Sequence, residues 1–386
     1  MSLPRTLAYT KTFLRLLARN RSIWACVVAI ALFNCSFLLY PMTVAGDMLG
    51  FFQTQYQNSR SLLLSESPLS SQAEQEINRR TELLHDVVAN WETDQRMRCI
   101  AEYEAFNAQV ERAQYENRTL VGDYSDVLRS EGTAWLYARM TELENTAVYS
   151  VSTALPTLNY LLYALSGLPY FTWYIPLLVA VAGCAREREA DSLLACAPMN
   201  QGTSTLGMFW ALLAFSLTSL FACWLPAAAW TFICNGIGDP RYPIAFVTND
   251  TLVTSTIAIA LLKWLAGFTA ETALFCLLAA ACLTIGISHI GQALTVVVLA
   301  LPLLPGYLTG SIPEWLLKYL PSTFLEGIRY SGVPGISAYL IESGPGCTLT
   351  AGLLTIAACA LVLIATFLIL FVLMRIARTL KHGGSS

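Results

Sequence analysis

Charge is what this 386-residue chain lacks: Asp, Glu, Lys and Arg make up 13% of it, against 55% hydrophobic residues. That balance is far more apolar than that of an ordinary soluble domain, and no nucleic-acid partner is expected. Histidine is scarce as well. With only His85, His289 and His382, no CxxC and no ligand-like spacing, no metal site is supported. HExxH, GxSxG and paired intramembrane aspartates are all missing, so no nucleophile, base or metal set for a membrane enzyme presents itself. No G-x-x-x-x-G-K-[ST] run occurs either, so the usual phosphate-cradling loop is absent and any ATPase would be another polypeptide.

Cysteine is plentiful, at 11 residues, but it forms no secreted-type framework. Cys26, Cys35, Cys223, Cys276, Cys282 and Cys359 lie in apolar runs, where the thiol is a small hydrophobe. Cys99, Cys234 and Cys347 fall outside those runs, and a Cys234–Cys347 disulfide is a candidate near the outer ends of two spans.

The remaining charge is concentrated. Of the 49 charged residues, 17 acids and 9 bases lie between Asp47 and Glu144. Apolar runs of roughly 20 residues then predict an all-α polytopic membrane protein with six spans, near 23–45, 164–184, 204–233, 265–287, 291–309 and 348–374. Arg5, Lys11, Arg15, Arg19 and Arg21 precede the first span, and Arg375, Arg378 and Lys381 follow the last, so both termini are expected in the cytoplasm of a plasma-membrane protein. The first run is long enough to span and shows no small-residue cleavage site, so it is expected to remain as a helix.

The expected organisation is an amphipathic elbow helix over 1–22, the first span over 23–45 and an outer helical domain over 46–145. An interfacial helix and second span follow over 146–184, a cytoplasmic segment over 185–203 and three spans within 204–309. An outer region over 310–347, a sixth span over 348–374 and a tail over 375–386 complete it. In the outer domain, Ser71-Gln-Ala-Glu74 reads as a capping box. Leu84, Val87, Val88 and Trp91, then Ile100, Tyr103, Phe106 and Val110, recur at helical spacing, and a turn over 117–123 returns the chain as a helical hairpin. Lys263 and Trp264 read as an interfacial elbow before the fourth span. Glu271 is either a pathway residue or a shallow interfacial acid.

Between the second and third spans, Arg186-Glu-Arg-Glu-Ala-Asp-Ser-Leu-Leu-Ala-Cys-Ala-Pro198 alternates acids and leucines at helical spacing. This run resembles the coupling segment of ABC-2 type transporter permeases, carried by Glu187, Glu189, Leu193, Leu194 and Pro198, with Arg186 and Arg188 beside them. A second stretch, from Pro302 to Arg329, is similar to the family's outer re-entrant helices through Pro313, Trp315, Pro321 and Arg329, with Glu326 near its end. The basic N-terminus resembles the family's elbow helix. The resemblance implies a permease subunit of an exporter, paired with a second copy or a homologous permease and driven by two ATP-binding subunits that hold the ATP and Mg. The mostly apolar interior and the helical outer domain favour an amphipathic peptide or hydrophobic drug as cargo over a long sugar polymer. A sensor with an outer ligand-binding domain is the alternative, and an integral membrane enzyme a weaker one.

Overall fold

The computed structural model describes residues 3–39, 48–64, 70–117, 124–144, 155–167, 175–181, 201–248 and 251–285, with 343–344 and short helical pieces between 353 and 372. Among these, the chain is mostly helical: α1 (Leu3–Arg19), α2 (Arg21–Leu39), α3 (Met48–Leu63), α4 (Ser71–Ala89), α5 (Arg96–Glu116), α6 (Tyr124–Glu142), α7 (Thr157–Gly167), α8 (Gln201–Asn235) and α9 (Ile257–Ile285). Strands β1 (Pro243–Thr248) and β2 (Thr251–Thr256) pair antiparallel, and β3 (Ser343–Gly344) joins β1 in parallel to give the order β2-β1-β3.

Two of these helices, α8 and α9, are long and apolar enough to cross a membrane. The pair α1–α2 passes the same test only jointly, and it is bent by 68°. Asn20 makes the bend: its Oδ1 accepts the Ser22 amide at 3.0 Å, an N-cap that starts α2 on a new axis. The Trp24 indole then donates back to the Ala18 carbonyl at 2.8 Å.

Helix α8 carries no charged residue over its 35 positions, and α1, α2, α7 and α9 all pack on it. With no water to satisfy polar groups at such depth, the few polar side chains are used as ties. Asn34 of α2 is buried and donates to the Cys223 carbonyl of α8 at 3.0 Å, while the Tyr160 hydroxyl of α7 donates to the Asn34 carbonyl at 3.1 Å. At its far end α8 stops at Gly236, whose φ of 75° is the left-handed conformation a helix terminus favours in glycine. The carbonyls of Gly236 and Ile237 then accept the first amides of α7, from Thr157 and Leu158, at 3.0 and 3.1 Å. On the outward faces, Phe221, Leu225, Trp230 and Ile233 of α8 and Leu262 of α9 remain exposed, as a surface meeting lipid rather than water would have them.

The fold departs from an all-α protein at the hairpin. Pro243-Ile-Ala-Phe-Val-Thr and Thr251-Leu-Val-Thr-Ser-Thr are rich in β-branched residues, two positions apart, and pair in register from Pro243 with Thr256 to Thr248 with Thr251. Leu128 and Leu136 of α6 bury against Ala245 and Val247 of β1, so the hairpin fastens the polar domain to the apolar helices. Helix α9 starts directly at Ile257, and its first amides, Ile257 and Ala258, donate to the Tyr242 and Pro240 carbonyls. Lys263 and Trp264 therefore lie within one continuous helix instead of a separate elbow, because no glycine or proline interrupts Ile257-Ala-Ile-Ala-Leu-Leu.

The polar domain is also more divided than a two-helix hairpin. Among the described residues it holds four helices: α3 packs on α4, α4 on α5, and α5 most extensively on α6. A turn over 90–95 separates α4 from α5, and Asn90 begins it by closing backbone bonds to Asp86 and Val88. Ser70, one residue before the expected cap, caps α4: its Oγ accepts the Ala73 amide at 3.2 Å. Phe52 of α3 fills the centre, 5.8 Å edge-on from Tyr103 and 6.0 Å from Trp91.

The seam between α1 and α8 gives a direct test. A Cβ placed on Gly207 would stand 2.6 Å from Tyr9 Cδ1 and 3.3 Å from Tyr9 Cβ, so the tyrosine cannot simply swing aside. Gly207→Leu is expected to cost about 1–3 kcal/mol by overpacking, read as a lowered thermal midpoint of the full chain in detergent. Adding Tyr9→Ala should recover most of it.

Candidate functional site

The segment 186–198 lies outside the described residues, but the element it enters does not. Helix α8 begins at Gln201, three positions after Pro198, and α1 is fixed to its first turns. The Ser204 hydroxyl donates to the Tyr9 hydroxyl at 3.1 Å, and Thr10 Oγ1 donates to the Gly207 carbonyl at 3.3 Å. Phe13 and Leu17 of α1 are buried, while Leu7 stays 71% exposed on the opposite face. An amphipathic helix is thus clamped to the place where the charged segment joins the apolar body.

Glu271 is the second locus. It sits in the middle of α9, fully buried, and neither carboxyl oxygen has a hydrogen-bond partner among the described residues. The neighbouring Thr272 hydroxyl is in the same position. This burial sets it apart from an acid on an exposed helix face, which would find water.

The third locus was not visible in the sequence as a site. Glu104 of α5 is 7% exposed on the seam with α6, and Glu111 follows it two turns along the same face. Glu111 accepts a hydrogen bond from the Ser130 hydroxyl, and Arg112 pairs with Glu131 at 2.6 Å nearby. Burial pushes the Glu104 carboxyl up to about 7, opposed by a hydrogen bond to Asn107 and reinforced by the charge of Glu111. Two acids seven positions apart on one helix face were the available signal. The bulk acidity of the block hid it.

Between α4 and α5 runs an open groove of about 780 Å³, lined by Phe106 and Val110, by several glutamines and by Glu76 and Arg79. Its mixture of apolar and polar walls suits an extended amphipathic ligand.

The chain matches no protein-family model, no curated protein and no solved structure. Its function therefore rests on its own residues. Of the expected site residues, Glu271 and Cys234 are described, and Cys234 stands exposed on the last turn of α8. Arg186, Glu187, Arg188, Glu189, Leu193, Leu194 and Pro198 lie outside the described residues, as do Pro313, Trp315, Pro321, Glu326, Arg329 and Cys347.

Two measurements follow. Because Glu104 binds its proton more tightly in the folded chain than in the unfolded one, its contribution is complete below about pH 4.5 and is lost as pH rises through about 7. The difference is on the order of 3 kcal/mol at 1.36 kcal/mol per unit. Thermal unfolding should show greater stability at pH 5 than at pH 8, with Glu104→Gln flattening the dependence. Glu271→Leu removes a buried unpaired polar group and should leave the thermal midpoint unchanged or raise stability by about 1–3 kcal/mol, whereas Glu271→Lys should lower it. A gain in stability with loss of transport would mark a pathway residue.

Proposed function

We propose that this chain is the transmembrane permease subunit of an ATP-driven exporter of the ABC-2 type, moving an amphipathic peptide or hydrophobic drug outward. The observation that carries the reading is the charged, leucine-bearing run from Arg186 to Pro198, which leads within three residues into a charge-free helix of 35 residues. Energy comes from a separate ATP-binding subunit, since no nucleotide loop exists in the chain.

Several features support the coupling. An ATPase pressing on residues 186–198 would displace the start of α8. The bonds from Ser204 and to Gly207 carry that displacement into α1, and the packing of α8 on α2, α7 and α9 distributes it through the apolar body. The clasp between α6 and the hairpin passes the motion to the polar domain, whose open groove is suited to contacting cargo. In this reading two permease copies, or one and a homologue, frame the pathway, with Glu271 a candidate for its lining and with the outer stretch containing Pro313, Trp315, Pro321 and Arg329 as its gate.

The groove between α4 and α5 also fits a sensor whose outer domain binds ligand. The two readings part on the partner. Purified gently from its native membrane, the permease should bring an ATP-hydrolysing subunit with it, and Glu189→Arg should abolish that association while the chain still folds. Wild-type association and transport in Glu189→Arg would overturn the coupling role, and a co-purifying kinase without ATPase would favour the sensor.

A further inference from the structure

Where α6, the hairpin and the start of α9 meet, the structure forms an open cavity of about 530 Å³. Its walls bring together Arg139 and Glu142 from α6, Arg241 from the loop before β1, Thr254 from β2 and Lys263 from α9, with Trp135 at one side. Three cations face one acid, in a chain where such clustering is rare outside the polar block.

Part of this charge is already balanced. Arg139 is paired with Glu142 one turn along its own helix, and Arg241 closes on Asp239, with Nε and Nη2 each 3.3 Å from a carboxylate oxygen. Asp239 in turn is held below the usual carboxylate range by the Arg241 amide and side chain, so the pair persists. One guanidinium nitrogen of Arg241 remains outside that pair, and Lys263 has no acidic partner among the described residues. The cavity therefore keeps a net positive charge on donors that suit phosphate oxygens.

Its depth identifies the source of the phosphate. Lys263 lies six residues into α9, roughly 9 Å along the axis, at the mouth of a helix apolar enough to cross a membrane. Beside it, Leu262 is 65% exposed and Ile259, a wall of the cavity, is 47% exposed, so a short apolar strip adjoins the cations. A half-buried lysine at that level reaches toward the headgroup region, and Trp135 supplies the aromatic such an interface favours. Free phosphate would have no use for the strip. A lipid uses both.

We propose that this cavity is a lipid site that takes the phosphate of an anionic phospholipid between Arg139, Arg241 and Lys263, with the start of the acyl region against the exposed Leu262 of α9. The proposal rests on α9 being a membrane span. It makes the lipid a third party in the junction between polar domain and membrane body, bridging α6 and α9 where β1 and β2 already join them.

The test is native mass spectrometry of the full chain in mild detergent, with phosphatidylglycerol, phosphatidylcholine or inorganic phosphate added. Wild type and Arg98→Glu, a variant of an exposed base on α5, should retain phosphatidylglycerol in preference to phosphatidylcholine. Lys263→Arg should retain it as well, whereas Arg241→Glu with Lys263→Glu should weaken retention about tenfold or more. Equal retention by the double variant would overturn the site, as would displacement by inorganic phosphate at matching concentration. Carbonate washing of membranes separates the two levels: a chain released by the wash removes the membrane reading and the proposal with it, whereas a chain that resists it, with binding indifferent to the double variant, removes only the lipid site.

Discussion

A charge-free helix packed on four sides is the constraint on which the rest of this structure depends. Helix α8 satisfies its backbone mostly within itself, although Pro226 removes one donor, and its neighbours reach it through side chains, some of them bonded to its carbonyls. The chain uses few polar groups for this and places each where it ties two elements: Asn34 to the Cys223 carbonyl, Tyr160 to the Asn34 carbonyl, Thr10 to the Gly207 carbonyl. Each such bond is worth about 1 kcal/mol. Their value lies in fixing register, since an apolar helix surface alone allows neighbours to slide. Gly207 does the same by shape, admitting the Tyr9 ring at a distance no other residue would allow.

The ends of α8 are where its independence stops. At one end the basic α1 is pinned to the first turns; at the other Gly236 turns the chain so that its carbonyls cap α7. The loop beyond then forms β1 and β2, and the same loop's carbonyls receive the first amides of α9. One short stretch, 236–258, therefore terminates α8, caps α7, starts α9 and seats α6. A displacement of α8 along or across its axis cannot leave the polar domain unaffected, because Leu128 and Leu136 bury against Ala245 and Val247 of that stretch.

How much of this the sequence discloses depends on the range of the cause. Hydropathy acts over twenty residues and marks both α8 and α9, but Lys263 places the expected start of the second at 265, whereas the helix begins at Ile257. Local rules locate the helix at Ser70–Ala89 but misplace its cap by one, since Ser70 and Ser71 are chemically equivalent and geometry chooses between them. The hairpin is legible only in retrospect: two runs of Val, Ile and Thr separated by Asn249-Asp250 carry a turn signal, masked by the apolar helices on either side. The buried Glu104 was hidden for the opposite reason, because one acid among 17 in a polar block offers no contrast. Burial of a polar group is a property of the partner face, and α6 is twenty residues away.

Two buried acids, one legible in the sequence and one hidden, are also where the structure spends stability. Glu104 and Glu271 are buried carboxyls in different surroundings, one in a polar domain with Asn107 and Glu111 at hand, the other in an apolar helix with no partner among the described residues. A fold selected for stability alone would replace both with leucine or glutamine at little cost. Their presence is better explained if each is met by something in another state of the protein: a shifted α6 for Glu104, a cargo group or a second subunit for Glu271. On the proposed reading, both lie on elements joined through the 236–258 junction, so the motion that would expose one would reach the other. Buried acids at both ends of one mechanical connection fit a chain built to move between states.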